Sequence, residues 1–296
     1  MQRIIPNIWC NGTADEAVAF YVDAFPEATA GYSYTYPEEG LPDFQRDMAG
    51  KDPRRQRGHR RLHPHPHQRR RRVLTDPAIN FFVNFDPSVR DDARGDLDRL
   101  WAKLTDGGHV LMELGAYPHS EHYGWVADRF GVNWQLMLTD PTGDPRPMII
   151  PNLMFCGPAQ NKAAEAVDHY LSVFPDSRLA HRVPYGQATG PVTPESVVFS
   201  DFQLYGEWLS AMDSAVDQPF TFTEGLSLSV NCRDQAEIDR IWEALSAVPE
   251  SEVCGWCKDS WGVNWQIVPE NMDELMTRPG AYETMMGMSR IVIDRF

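Results

Sequence analysis

The side chains with most to offer chemically stand in two matching runs, Gly131-Val132-Asn133-Trp134-Gln135 and Gly262-Val263-Asn264-Trp265-Gln266. An amide donates and accepts hydrogen bonds but does not trade protons near neutral pH. Such residues therefore suit directed binding better than acid–base chemistry. Aromatic and branched residues bounded by glycine and proline favour a strand here. Alternation places Trp134, Leu136 and Leu138 on one face, to pack beneath helices, and Asn133, Gln135 and Met137 on the other. That second face is either a solvent-facing edge or, because the pair recurs as Asn264 and Gln266, the lining of a polar hollow. In a hollow each amide must find a hydrogen-bond partner.

Two further groups could do chemistry. Cys254-Gly255-Trp256-Cys257 has redox spacing, but its counterpart in the first half is Tyr123-Gly124-Trp125-Val126. Residues three apart on a strand point to opposite sides about 10 Å apart, beyond the roughly 7 Å a disulfide spans. His119 and His122 flank Glu121 in an expected loop, as a weak metal patch or as solvated polar residues.

The elements that must position these residues come in duplicate. Ile5-Pro6-Asn7-Ile8 returns as Ile150-Pro151-Asn152-Leu153, and Phe20-Tyr21 with Phe25-Pro26 as His169-Tyr170 with Phe174-Pro175. Arg99-Leu100-Trp101 with Leu104 returns as Arg240-Ile241-Trp242 with Leu245. Such self-similarity marks a tandem repeat. The expected division is a first domain over 1–141, a proline- and glycine-bearing linker over 142–148, a second domain over 149–270 and a helical tail over 271–296. In the first half the pattern predicts a strand over Arg3–Asn11 and a helix over Asp15–Phe25, with a Thr13/Glu16 capping box. A strand at Gly31–Tyr36 follows, then Ile79–Phe85, a helix over Asp91–Leu104, and strands at His109–Leu114, Tyr123–Ala127 and Val132–Leu138. Strand–helix–strands thus occurs four times, an α+β pattern.

One stretch departs from this composition. Residues 50–75 hold ten of the 27 Lys and Arg, four of the nine His and a single Asp. Their counterpart, Val197 to Phe222, reads as two strands around Tyr205-Gly206. Length kept while composition is swapped is what an out-of-frame reading of GC-rich codons gives. A basic disordered insertion and a metal tract at His63, His65 and His67 are the other readings.

Length and charge narrow the class. A chain of 296 residues suits two domains, and a net charge of −15 argues against nucleic acid as partner. No run approaches the roughly 18 apolar residues of a membrane span, and Met1 to Cys10 lacks a signal pattern. Five cysteines without framework spacing suit a reducing cytoplasm.

Ile-Pro-Asn on the first strand, Phe-Tyr on the first helix and the closing Gly-Trp-Val-Ala-Asp-Arg-Phe-Gly-Val-Asn-Trp-Gln together resemble the glyoxalase/bleomycin-resistance/dioxygenase, or vicinal oxygen chelate, superfamily. With the tail Tyr282 to Met288, they are similar to its PhnB-like branch, whose domain is labelled 3-demethylubiquinone-9 3-methyltransferase. The resemblance implies two tandem glyoxalase-like domains, each of paired βαβββ modules curling a mixed sheet around a cleft. It also implies a divalent metal held by His, Glu or Gln from the first and last strands of each module. By motif position the closing ligand falls on Gln135 and Gln266, and the opening ones near Asn7, Asn152, Asn80 and Ser227.

Amides are poor ligands beside imidazole and carboxylate, so a metal is not favoured and the cofactor stays unknown. A cleft lined by these residues suits a small polar or aromatic molecule. On this reading Asn7, Asn80 and Gln135 share one hollow. The surviving site is expected in the second half, with Asn152 and Gln266 side by side at its floor and Trp208 as a stacking ring. Gln266→Leu should then weaken binding and Gln135→Leu matter little. The function expected is small-molecule binding, with catalysis open. The alternatives are a metal-dependent lyase or dioxygenase, where the metal polarises substrate oxygens, and ligand sequestration as in resistance proteins. No glycine-rich strand-to-helix turn for a nucleotide-like methyl donor is present, so methyl transfer rests on the label alone. The duplication mimics a dimer, which suits a monomer as well as a homodimer.

Overall fold

Four related modules follow one another along the chain, of which the computed structural model describes residues 2–10, 13–31 and 77–296. The basic stretch 50–75 lies outside the described residues, as does the expected strand at Gly31–Tyr36 apart from Gly31. The first module contributes β1 (Ile4–Ile8) and α1 (Ala14–Ala24). The second runs β2 (Ile79–Phe85), α2 (Ala93–Thr105), β3 (His109–Tyr117), β4 (Ser120–Ala127) and β5 (Asn133–Leu138). The third repeats this as β6 (Ile149–Phe155), α3 (Ala163–Val173), β7 (Arg178–Pro184), β8 (Val197–Leu204) and β9 (Glu207–Asp213). The fourth comprises β10 (Leu226–Cys232), α4 (Gln235–Leu245), β11 (Trp256–Lys258) and β12 (Asn264–Pro269). Short helices α5 (Met272–Leu275) and α6 (Ala281–Met286) form the tail. The fold is α+β; among the described residues the second and third modules are complete βαβββ units and the fourth is βαββ.

The modules pair across the repeat boundary. Each leaves the outer edge of its opening strand without a ladder, and an open edge is closed most simply by another opening strand. Thus β6 runs antiparallel to β2 with Asn80 opposite Asn152, and β1 runs antiparallel to β10 with Asn7 opposite Ser227. Among the described residues this gives an eight-stranded sheet, β3-β4-β5-β2-β6-β9-β8-β7, and a four-stranded one, β1-β10-β12-β11. The link 139–148 is pinned where it turns back: the Asn84 amide donates to the Met148 carbonyl at 2.7 Å, and Asn84 Nδ2 to the Pro147 carbonyl at 2.9 Å.

The helix side of both sheets is one continuous core. Trp134 and Leu136 enter it from β5 with Phe81, Val83 and Phe85 of β2, as alternation predicted, and Trp265 enters fully buried from β12. Two buried carboxylates explain why the closing phrase recurs. Asp128 Oδ2 accepts the Tyr21 hydroxyl at 2.7 Å and Trp134 Nε1 at 2.8 Å, while Oδ1 accepts the Phe130 and Val132 amides at 2.8 and 3.1 Å. Asp259 does the same: Tyr170 at 2.6 Å, Trp265 Nε1 at 2.9 Å, and the Trp261 and Val263 amides at 3.0 and 2.9 Å. Four donors satisfy each carboxylate, the condition for burying a charge. Because Tyr21 belongs to α1 and Tyr170 to α3, these anchors tie together the two modules of one half. The sheets tie modules of different halves.

Three local expectations change. The Thr13 hydroxyl donates to the Cys10 carbonyl at 2.6 Å and so makes no side-chain cap to the helix. His122 sits on β4, not in a loop, buried with Nε2 2.6 Å from Asp98 Oδ1 on α2. Cys254 lies in a left-handed turn just before β11, and it and buried Cys257 are free thiols. Among the described residues no helix is long and apolar enough to cross a membrane.

Candidate functional site

Alternation sends the remaining side chains of the eight-stranded sheet to its helix-free face. On β2, Asn80 and Phe82 point there, on β5 Gln135 and Met137, on β6 Ile150 and Asn152. The neighbouring strands add Tyr123, Phe199, Trp208, Ser210 and Met212, several of them packed as a second apolar cluster around Phe82, Tyr123 and Ile150.

A chain of hydrogen bonds runs across this face over five neighbouring strands. The Tyr123 hydroxyl donates to Gln135 Oε1 at 2.6 Å, and Gln135 Nε2 to Asn80 Oδ1 at 2.8 Å. Asn152 Nδ2 donates to the same Asn80 oxygen at 3.1 Å, and the Ser210 hydroxyl to Asn152 Oδ1 at 3.0 Å. Asn80 Nδ2 is spent on the Pro77 carbonyl at 2.8 Å. Burial pushes the Tyr123 phenol up from its ordinary pKa, so it remains a donor throughout the neutral range. Asn80 and Asn152 are fully buried, and Gln135 nearly so. Satisfied networks of this kind fix side-chain geometry.

The grouping expected from sequence is therefore redrawn. Asn80, Gln135 and Asn152 come together, whereas Asn7 does not join them, because β1 pairs with β10 and not with β2. Asn152 and Gln266 are not side by side but lie in different sheets, since β6 pairs with β2 and β9 while β12 pairs with β10 and β11. Gln266 Nε2 instead donates to the buried Ser227 hydroxyl at 2.8 Å, and Asn7 opposite Ser227 bonds its own strand at the Ile5 carbonyl, 3.1 Å. Asn133 and Asn264 each donate to a carbonyl in the preceding turn, Gly131 at 3.1 Å and Gly262 at 3.4 Å, so half of each amide is structural. Tyr123 and Ser210 belong to the network although neither was singled out in the sequence. Their signal was positional: each faces the same side as Gln135 or Asn152 on an adjacent strand.

Trp208 also departs from its expected role. The Arg146 guanidinium lies 4.0 Å over its ring and that of Arg178 lies 5.4 Å away. Arg146 Nε donates to buried Asp201 Oδ2 at 2.8 Å, and His181 Nδ1 is 3.0 Å from the other Asp201 oxygen. The indole is thus already stacked by a cation from the link. It borders a groove of about 390 Å³ lined also by Ile4, Pro147, Ile149, Pro151 and Glu207.

The donor set does not fit the divalent metal that the superfamily resemblance implies. Asn80 Oδ1 already accepts two N–H groups, and Gln135 Oε1 and Asn152 Oδ1 each accept a hydroxyl. The oxygens a hard cation would need are engaged, and none carries a formal charge.

Residues 71–137 and 147–268 match the family model described as 3-demethylubiquinone-9 3-methyltransferase. A PhnB protein from Bacillus cereus is 33% identical, with 40% of this chain and 95% of that chain covered and a TM-score of 0.34. A protein from Staphylococcus aureus is 28% identical over 43% of this chain and 100% of its own, with a TM-score of 0.20. Glyoxalase I from Zea mays is 12% identical over 67% of this chain and 69% of its own, with a TM-score of 0.39. No curated protein matches the chain.

Proposed function

Since the chain belongs to the 3-demethylubiquinone-9 3-methyltransferase family, the PhnB-like branch of the vicinal oxygen chelate superfamily, we propose that it binds a small molecule on the helix-free face of the eight-stranded sheet. The observation that carries this reading is the Tyr123–Gln135–Asn80–Asn152–Ser210 network, a buried polar track flanked by Phe82, Ile150 and Phe199. Polar groups held in fixed directions within an apolar surround are what orient a ligand. Ser227 and Gln266, with Asn7 opposite, are the lesser counterpart in the other sheet. Trp208 acts as a wall of the site through its Arg146 stack, not as an open platform.

Binding or sequestration without chemistry is favoured over a metal-dependent lyase or dioxygenase, because the amide oxygens are taken by the hydroxyl and N–H donors of the network. Methyl transfer is not part of the proposal, since among the described residues no glycine-rich strand-to-helix turn offers a place for a methyl donor. Five free cysteines support a reducing, cytoplasmic setting.

A thermal-shift ligand screen on the full chain, repeated with Gln135→Leu and Gln266→Leu, tests the placement. Gln135→Leu breaks the network between Tyr123 and Asn80 at nearly constant volume, so the polar groups that would meet a ligand lose their fixed directions, and it should cost about 1–3 kcal/mol of affinity for any hit. Gln266→Leu should leave affinity in place. Loss confined to Gln266→Leu would move the site to the four-stranded sheet.

A further inference from the structure

The groove of about 390 Å³ beside Trp208 lies where the start of β1 meets the starts of β6 and β9. Its lining is mostly apolar: Ile4, Pro147, Ile149, Pro151 and Leu209, with the half-buried indole of Trp208. Ile149 is 40% exposed, so this apolar wall meets solvent. Only two polar side chains line the groove, Gln2 and Glu207. An apolar hollow of this size with a few convergent polar groups has the make-up of a small-molecule site.

The polar groups select the ligand's charge. The cations nearest the groove are engaged elsewhere. The Arg3 guanidinium donates to Glu237 Oε2 at 2.8 Å and stacks 4.2 Å over Tyr205, and Arg146 Nε donates to Asp201 Oδ2 at 2.8 Å. Arg178 Nε donates to Gln203 Oε1 at 2.7 Å. Glu207 is the one charged side chain in the lining, and among the described residues it makes no ion pair. Its Oε1 accepts only the Arg3 backbone N–H, at 3.3 Å. Gln2 spends Nε2 on the Ile4 carbonyl at 3.0 Å, which leaves its Oε1 as an acceptor. Two acceptors, one of them charged, call for a ligand that brings N–H donors and a positive charge. A quaternary ammonium needs a free aromatic face, and the Trp208 ring already carries the Arg146 guanidinium at 4.0 Å. A carboxylate would meet Glu207 with no counter-ion in the lining.

We propose that this groove is a second binding site, for a primary amine carried on an apolar body. The ammonium sits on the Glu207 carboxylate, and the body lies against Ile149, Pro151 and Trp208. The groove shares only Trp208 with the helix-free face, so this site is separate from the one proposed there.

Phenethylamine, 2-phenylethanol and 3-phenylpropanoate serve as probes, titrated into the full chain by calorimetry. Phenethylamine should bind, 2-phenylethanol about tenfold more weakly, and 3-phenylpropanoate not at equal concentration. Glu207→Gln removes the charge but keeps an oxygen for the Arg3 N–H, and should weaken phenethylamine roughly tenfold or more. Ile149→Ala shortens the exposed apolar wall and should weaken it roughly threefold or more. If Glu207→Gln lowers the melting temperature of the free protein, the Ile149→Ala result decides alone. No binding of phenethylamine, equal binding of either analogue, or binding unchanged by the deciding variant overturns the site. That outcome leaves the reading of the helix-free face standing, since Gln135→Leu tests it separately.

Discussion

Replacing Asp259 by Asn is the sharpest probe of what the repeated closing phrase does. Asp259 receives four hydrogen bonds at 2.6 to 3.0 Å, two on each oxygen. An Asn side chain keeps one acceptor oxygen and sets an NH₂ group in place of the other. Whichever way the amide turns, two donors then meet a donor: the Tyr170 hydroxyl with Trp265 Nε1, or the Trp261 and Val263 amides. Hydrogen bonds to a charged acceptor are worth about 1.5–3 kcal/mol each, so their loss amounts to about 3–6 kcal/mol. Part of that returns, because the variant no longer buries a charge; burial pushes the Asp259 pKa up against the pull of its four donors. The net expectation is a loss of about 2–5 kcal/mol in urea unfolding followed by tryptophan fluorescence. A double-mutant cycle with Tyr170→Phe should show coupling above about 1 kcal/mol, since both variants remove the same bond. A loss below about 1 kcal/mol, or strict additivity, would refute the view that this carboxylate anchors α3 to β12.

Two other outcomes follow from the packing. Trp134→Ala should cost about 3–5 kcal/mol, measured as a fall in unfolding free energy, because the ring is 5% exposed among Phe25, Phe81 and Tyr21. Glu237 should make stability acid-sensitive. Burial alone would raise its carboxyl, but the Arg233 amide, the Tyr205 hydroxyl and the Arg3 guanidinium outweigh it and hold the pKa at about 2, below the ordinary 4.5. A depressed carboxylate contributes stability that is complete above its unfolded pKa and is lost as pH falls from 4.5 toward 2. A pH series of melting temperatures should show that fall, and Glu237→Gln should flatten it.

Period-two alternation was enough to set the faces of β5, with Trp134 inward and Gln135 on the helix-free side. Local pattern could not say which opening strands pair, since that depends on which edges remain free once each module is formed. This is why Asn7 and Gln266 were grouped with partners that lie in the other sheet. Asp128 and Asp259 stood in plain view, each six residues before its tryptophan, and Tyr21 and Tyr170 recurred with them. Joining the two repeats into one contact needed the helix-to-sheet geometry. Trp208 was read as open because the sequence gives no sign that Arg146, from the link, folds back over it.

The crossed pairing of opening strands has a consequence for assembly. If the two halves were separate chains, closing β2 against β6 and β1 against β10 would be a bimolecular event whose yield depends on concentration. The link 139–148 reaches at most about 35 Å, and it presents each edge to its mate at an effective concentration of roughly millimolar. Edge closure thus becomes first order, and the half-closed state, whose bare strands could recruit a second molecule, is short-lived at any dilution.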